Sequence, residues 1–158
     1  MKQPYRQWQW LFSIWNSVSF GYFNHYSRLL SNFCLFLVEK IAQIYEEALK
    51  NEPGNEKILT HLFMSYVRLQ DYPKQKLTAL NLYKAVPKNP YYFWAVMSIY
   101  MQALEMEDKN MANKIILPLA EKMCKKFFDD KKFEAEAEVE LYLMILEKQN
   151  KTTEMIEL

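Results

Sequence analysis

At 158 residues, with 51% hydrophobic and 25% charged residues, the chain has the size and balance of roughly one globular domain, which excludes an intrinsically disordered segment. Its formal net charge is +1 and its Lys and Arg are spread along the chain, so it lacks the basic tract of a nucleic-acid binder, and no direct nucleic-acid partner is expected. Two glycines and six prolines are few turn residues; beside abundant Leu, Met, Ala, Glu and Lys they point to an all-α chain of long helices and short loops.

Residues 1–40 differ from the rest. They hold Trp8, Trp10, Trp15, Phe12 and Phe20, and no acidic residue precedes Glu39. A membrane-spanning helix needs about 20 consecutive apolar residues. Gln9, Ser13, Asn16, Asn24, Arg28 and Asn32 interrupt every candidate window, and the longest unbroken run is 33–38. Lys2 and Arg6 supply a basic start, but no cleavage site follows. The expectation is therefore a cytoplasmic chain with no span, no secretion signal and no membrane partner. The aromatic residues leave one rival open, a peripheral anchor through residues 1–38. Cys34 and Cys124 form neither a CxxC pair nor a disulfide framework, and are expected to be buried thiols in a reducing compartment.

The predicted helices follow in order: one over about 26–50, a pair over 55–69 and 73–84, a pair over 90–105 and 110–128, one over 132–149, and a last one from near Thr152. Pro118 is expected to kink the helix that contains it. Residues 129–132 read as a charged turn. The stretch 134–141 alternates Glu with apolar residues as a strand does. Its strong helix formers override that pattern, and Ala135, Val139, Tyr142 and Leu146 share one helical face.

A repeat of 34 residues runs through the middle of the chain. Lys50, Pro53 and Asn55 recur as Lys84, Pro87 and Asn89. Leu59, Leu62, Phe63 and Tyr66 recur as Phe93, Val96, Met97 and Tyr100, each set at i, i+3, i+4 and i+7. Each proline ends the second helix of one pair, and each Asn is placed to cap or turn into the next. A 34-residue period with an aromatic first helix and a closing proline is the tetratricopeptide signature, and it predicts a helical-hairpin superhelix. The repeat is degenerate and truncated. Phe63 and Met97 stand where a small residue is usual, and Gln75 stands where Ala is usual.

No catalytic constellation is present. His25 and His61 lack the neighbours of a metal site or a triad, and Gly21 and Gly54 stand alone, so no phosphate loop exists. Neither a cofactor nor a metal is expected, and the chain is read as non-enzymatic. Glu134, Glu136, Glu138 and Glu140 read as a solvated helix face. The candidate protein-binding residues are Lys57, Arg68, Tyr91 and Trp94, at positions that line the concave groove of tetratricopeptide arrays. Exposed aromatics and Arg are favoured interface anchors. The competing reading packs Trp94 against the neighbouring pair.

The segments HLFMSYVRLQDY (61–72), LYKAVPKNPYYFWAVMS (82–98), ILPLAEKM (116–123) and EAEAEVELYLMILE (134–147) resemble the auxiliary, non-catalytic subunit family of the N-terminal acetyltransferase B complex, NatB. VPKNPYYFW is the most specific of these words. The resemblance covers about 41–158, so the chain divides into a 1–40 segment foreign to the family and a 41–158 repeat domain. It implies a long superhelix that wraps the catalytic subunit. That partner transfers acetyl from acetyl-CoA to nascent chains beginning Met-Asp, Met-Glu, Met-Asn or Met-Gln. The auxiliary subunit supplies stability, activation and ribosome docking. It also implies that this chain covers an early part of a much longer protein. The rival within the same fold is a general tetratricopeptide adaptor that grips a short acidic peptide.

Overall fold

The structure, a computed structural model, describes residues 25–156, with side chains from residue 33 onward. The predicted anchor within residues 1–38 lies mostly outside the described residues. The elements are α1 (His25–Asn51), α2 (Glu56–Leu69), α3 (Tyr72–Ala85), α4 (Asn89–Glu105), the single turn α5 (Lys109–Met111), a π-helical turn (Ala112–Ile116), α6 (Leu117–Asp129), α7 (Glu136–Lys148) and α8 (Thr152–Ile156). No strand occurs among the described residues. Each helix packs mainly on its neighbours in the chain: α1 on α2, α2 on α3, α3 on α4, α4 on α6, α6 on α7 and α7 on α8. That is the nearest-neighbour order of a helical-hairpin superhelix. Among the described residues, no helix is long and apolar enough to cross a membrane.

Local chemistry sets the boundaries. Asn55 caps α2, its side-chain oxygen accepting from the Lys57 and Ile58 amides. Gln70 then turns the chain in the left-handed region (φ 55°), and Asp71 caps α3 by accepting from the Lys74 amide. Pro53 and Pro87 sit in the two inter-pair loops. The second loop departs from the expected symmetry, because Lys88 takes the cap position without a side-chain bond and Asn89 begins α4. The Asn89 side-chain amide instead donates to the Lys132 carbonyl, tying the start of α4 to the turn after α6.

Pro118 acts one turn earlier than a simple kink. It has no amide to give an i→i−4 bond, and the preceding turn is wound as a π-helix, with the Leu117 amide donating to the Ala112 carbonyl five residues back.

The repeat faces form the core. Leu59, Leu62, Phe63 and Tyr66 are buried on α2, as are Phe93, Val96 and Tyr100 on α4; Met97 is half-buried. The two departures from the repeat are accommodated in different ways. Phe63 stacks on Trp94, ring centroids 4.7 Å apart and planes 14° apart, so a bulky pair fills the gap a small residue would close. Gln75 is buried and bonded: its amide donates to the Tyr66 carbonyl at 3.1 Å and its oxygen accepts from the Ser98 hydroxyl at 3.3 Å. It thereby bridges α2, α3 and α4.

Two expectations are corrected. Cys34 is exposed on α1, whereas Cys124 is buried, and burial pushes its thiol up to about 12. Glu138 does not belong to a solvated face: it is 1% exposed. It stands at the third position of α7 and reaches back to accept from the Glu134 and Ala135 amides, leaving Glu134, Glu136 and Glu140 exposed.

Burial raises the Glu138 pKa above its usual 4.5, against the pull of those two backbone bonds. Between the usual value and the raised one, the folded chain binds more protons than the unfolded chain. Glu138 therefore costs stability as pH rises through that window, and the cost persists to neutral pH. The expected result is that Glu138→Gln gains on the native chain in urea-midpoint measurements as pH goes from about 4 to about 7. A gap that stays flat or shrinks would show that the two backbone bonds outweigh burial.

Candidate partner-binding groove

On α2, Lys57, His61 and Arg68 are exposed and Met64 half-buried. Their spacing of i, i+4, i+7 and i+11 puts them on one stripe, with Lys57 and Arg68 about 16 Å apart along the axis. The stripe is bordered on both sides. His61 stacks on Tyr45 of α1, with centroids 5.4 Å apart and planes 11° apart. On the other side, Glu56 joins α2 to α4. Its carboxylate accepts from the Tyr91 hydroxyl and pairs with Lys88 at 2.6 Å, and the Lys88 ammonium stands 5.7 Å from the Tyr91 ring centre.

This arrangement gives each group a definite electrostatic state. The Lys88 and Tyr91 hydrogen bonds hold the Glu56 carboxyl below the usual carboxylate range. Burial, and then the Glu56 carboxylate, push the Tyr91 phenol up to about 12. Tyr91 is thus a neutral donor committed to Glu56, with its ring half-buried. A second tyrosine repeats the motif one helix earlier. Tyr66 donates to Glu46 of α1, and Lys74 lies 5.1 Å over the Tyr66 ring. Glu46, Tyr66, Asp71 and Lys74 line a cleft of about 330 Å³ at that end. A larger cleft, about 670 Å³, opens at the other end of the described chain among Tyr100, Leu104, Lys109, Asn113, Met144 and Lys148.

The four sequence candidates separate into two groups. Lys57 and Arg68 stand on the exposed stripe. Tyr91 borders it through Glu56. Trp94 does not reach it: it is 2% exposed, stacked on Phe63 and touched edge-on by Tyr91 at 5.2 Å. Its place follows from the bulky Phe63, whose ring gives the indole a flat surface between the two first helices. Sequence reasoning missed Glu56 and Lys88, 32 residues apart and so nearly one repeat. An acid opening one repeat and a base closing the loop before the next was the available signal. Among the described residues, no cluster of His, Cys, Asp and Glu is arranged to hold a metal ion. The site offers a polar, shallow surface rather than an enclosed reaction centre.

Comparison with known proteins agrees with this architecture. The family model described as "Psidin, N-terminal TPR repeats region" matches residues 35–158. The human protein named N-alpha-acetyltransferase 25, NatB auxiliary subunit, is 48% identical over 119 residues, covering 75% of this chain and 12% of the relative. The phagocyte signaling-impaired protein of Drosophila pseudoobscura pseudoobscura is 46% identical over 119 residues, covering 74% of this chain and 12% of that protein. The N-terminal acetyltransferase B complex auxiliary subunit NAA25 of Arabidopsis thaliana is 33% identical over 113 residues, covering 72% and 10%. The chain thus spans about an eighth of the length of the first of these relatives, and it belongs to the family of the Psidin N-terminal TPR repeats region.

Proposed function

We propose that the chain serves as a non-catalytic scaffold segment of a NatB auxiliary subunit, part of the superhelix that holds the catalytic acetyltransferase. The observation that carries this reading is the 48% identity, across the helical repeats, to a protein named as that subunit. The site agrees in kind: a shallow stripe of Lys57, His61 and Arg68 suits a protein surface better than a small substrate. In this reading residues 41–158 are the family part. The acetyl-CoA site lies in the partner, the complex works in the cytoplasm beside the ribosome, and its substrates are nascent chains beginning Met-Asp, Met-Glu, Met-Asn or Met-Gln.

The test is co-expression of the full chain with the NatB catalytic subunit, followed by size-exclusion chromatography and titration. Co-elution is expected. The double charge reversal Lys57→Glu with Arg68→Glu is expected to weaken binding on the order of tenfold, with the helical circular dichroism unchanged. Co-elution that ignores the double reversal would move the interface off this stripe. Separate elution of two folded proteins would refute the reading.

A further inference from the structure

α1 is covered on one side only. Ala42, Tyr45 and Leu49 face the core formed with α2. Phe33, Phe36, Leu37, Ile41 and Ile44 are 41–66% exposed. They fall at i, i+3, i+4, i+8 and i+11, a single stripe on the side away from Ala42. Single exposed apolar residues are ordinary, but five large ones in a line over three turns form a seam that fits another helix.

The chain itself contains a matching sequence. Trp8, Leu11, Phe12 and Trp15 stand at i, i+3, i+4 and i+7, and Val18 and Tyr22 continue the stripe at i+10 and i+14. Gln9, Ser13, Asn16 and Ser17 fall on the opposite side. Gly21 and Asn24 are turn residues immediately before α1. So short a link between two helical stretches makes them antiparallel neighbours.

The register fits as well. Counted back from Gly21, Trp15, Leu11 and Trp8 stand 6, 10 and 13 residues away; counted forward from Asn24, Phe33, Leu37 and Ile41 stand 9, 13 and 17 away. The offset stays within about one helical turn throughout. Charge agrees too: residues 1–24 contain no acid, and Lys2 and Arg6 fall at the end where α1 exposes Glu47.

We propose that residues 5–22 fold back on α1 as an antiparallel helix, laying Trp8, Leu11, Phe12 and Trp15 on the stripe of Phe33, Phe36, Leu37 and Ile41. The segment supplies the first helix of the pair whose second helix is α1. Helical arrays need a terminal unit that seals the last apolar face, and this segment is that unit for this chain. The other occupant of such a seam is the α1 stripe of a second copy.

The test uses the full chain with a benzophenone amino acid in place of Leu37, and in a second preparation in place of Ile44, irradiated at low concentration. Trypsin cuts after Arg6 and Arg28, so the partner peptide is 7–28. The expected result is a crosslink from either position to that peptide within a species of monomer mass. The yield should drop at least about tenfold when Trp8→Asp and Trp15→Asp are combined, as the apolar contact is lost. Crosslinks confined to a species of twice the mass would overturn the proposal and assign the seam to a second copy. Failure of both positions to reach 7–28 would also overturn it.

Discussion

Trp94→Ala is expected to lower the unfolding free energy of the chain by about 3–5 kcal/mol, the range for removing a large buried aromatic. The indole is 2% exposed, stacked on Phe63 at 4.7 Å and met edge-on by Tyr91 at 5.2 Å, and truncation leaves a cavity that α2 and α4 cannot both close. Trp94→Phe is expected to cost less. It keeps a ring against Phe63, and it removes an indole nitrogen that has no hydrogen-bond partner among the described residues. A double-mutant cycle with Phe63→Ala should give a coupling of about 0.5–1.5 kcal/mol beyond simple area loss. Urea denaturation followed by circular dichroism measures all four variants. A loss below about 1 kcal/mol for Trp94→Ala would return the indole to the surface and restore it as a groove residue.

Trp94 also shows where sequence stops informing. The 3.6-residue period of α4 assigns Phe93, Val96 and Tyr100 to the core because each set of neighbours on one helix obeys it. The period alone does not decide how closely the next first helix approaches, and that distance determines whether Trp94 faces solvent or a neighbour. Here Phe63 decides it, from 31 positions away. The same distinction runs through the chain. The prolines at 53 and 87, the Asn55 cap and the override of the strand-like pattern at 134–141 are local effects, and the helices stand within a few residues of the predicted limits. Glu138 and Asn89 were assigned by local rule, to a charged face and a cap. Both were claimed instead by backbone partners: the Glu134 and Ala135 amides that α7's own start leaves open, and the Lys132 carbonyl that only the folded chain brings near. For the groove, the residue types were legible and the ion pair of Glu56 with Lys88 was not, since it joins two helices across a repeat.

Phe127→Ala is the second substitution with a large expected effect, again about 3–5 kcal/mol, and its consequence is regional. Phe127 is 3% exposed and stacks on Tyr92 at 4.0 Å, with Phe93 edge-on at 5.5 Å and Tyr83 tilted at 6.1 Å. It is the point where α6 grips α3 and α4 together. Phe133 continues the ring cluster from Phe93 to Tyr142 of α7. In a chain where each helix rests mainly on its neighbours, weakening one contact lets the elements beyond it open while those before it hold. Hydrogen exchange should therefore show protection lost first over 117–148 and retained over 56–105. Tyr92→Phe is the control: it keeps the stack and loses only the hydroxyl bond to the Met123 carbonyl, a cost of about 1 kcal/mol. A uniform loss of protection across all helices would mean that the rings form one core that melts as a unit. A loss confined to α6 and α7 would mean that the array is modular at this joint. Lys57 and Arg68 sit on α2, on the retained side, so a modular Phe127→Ala chain should still co-elute with the proposed catalytic partner if the α2 stripe is the part that binds it.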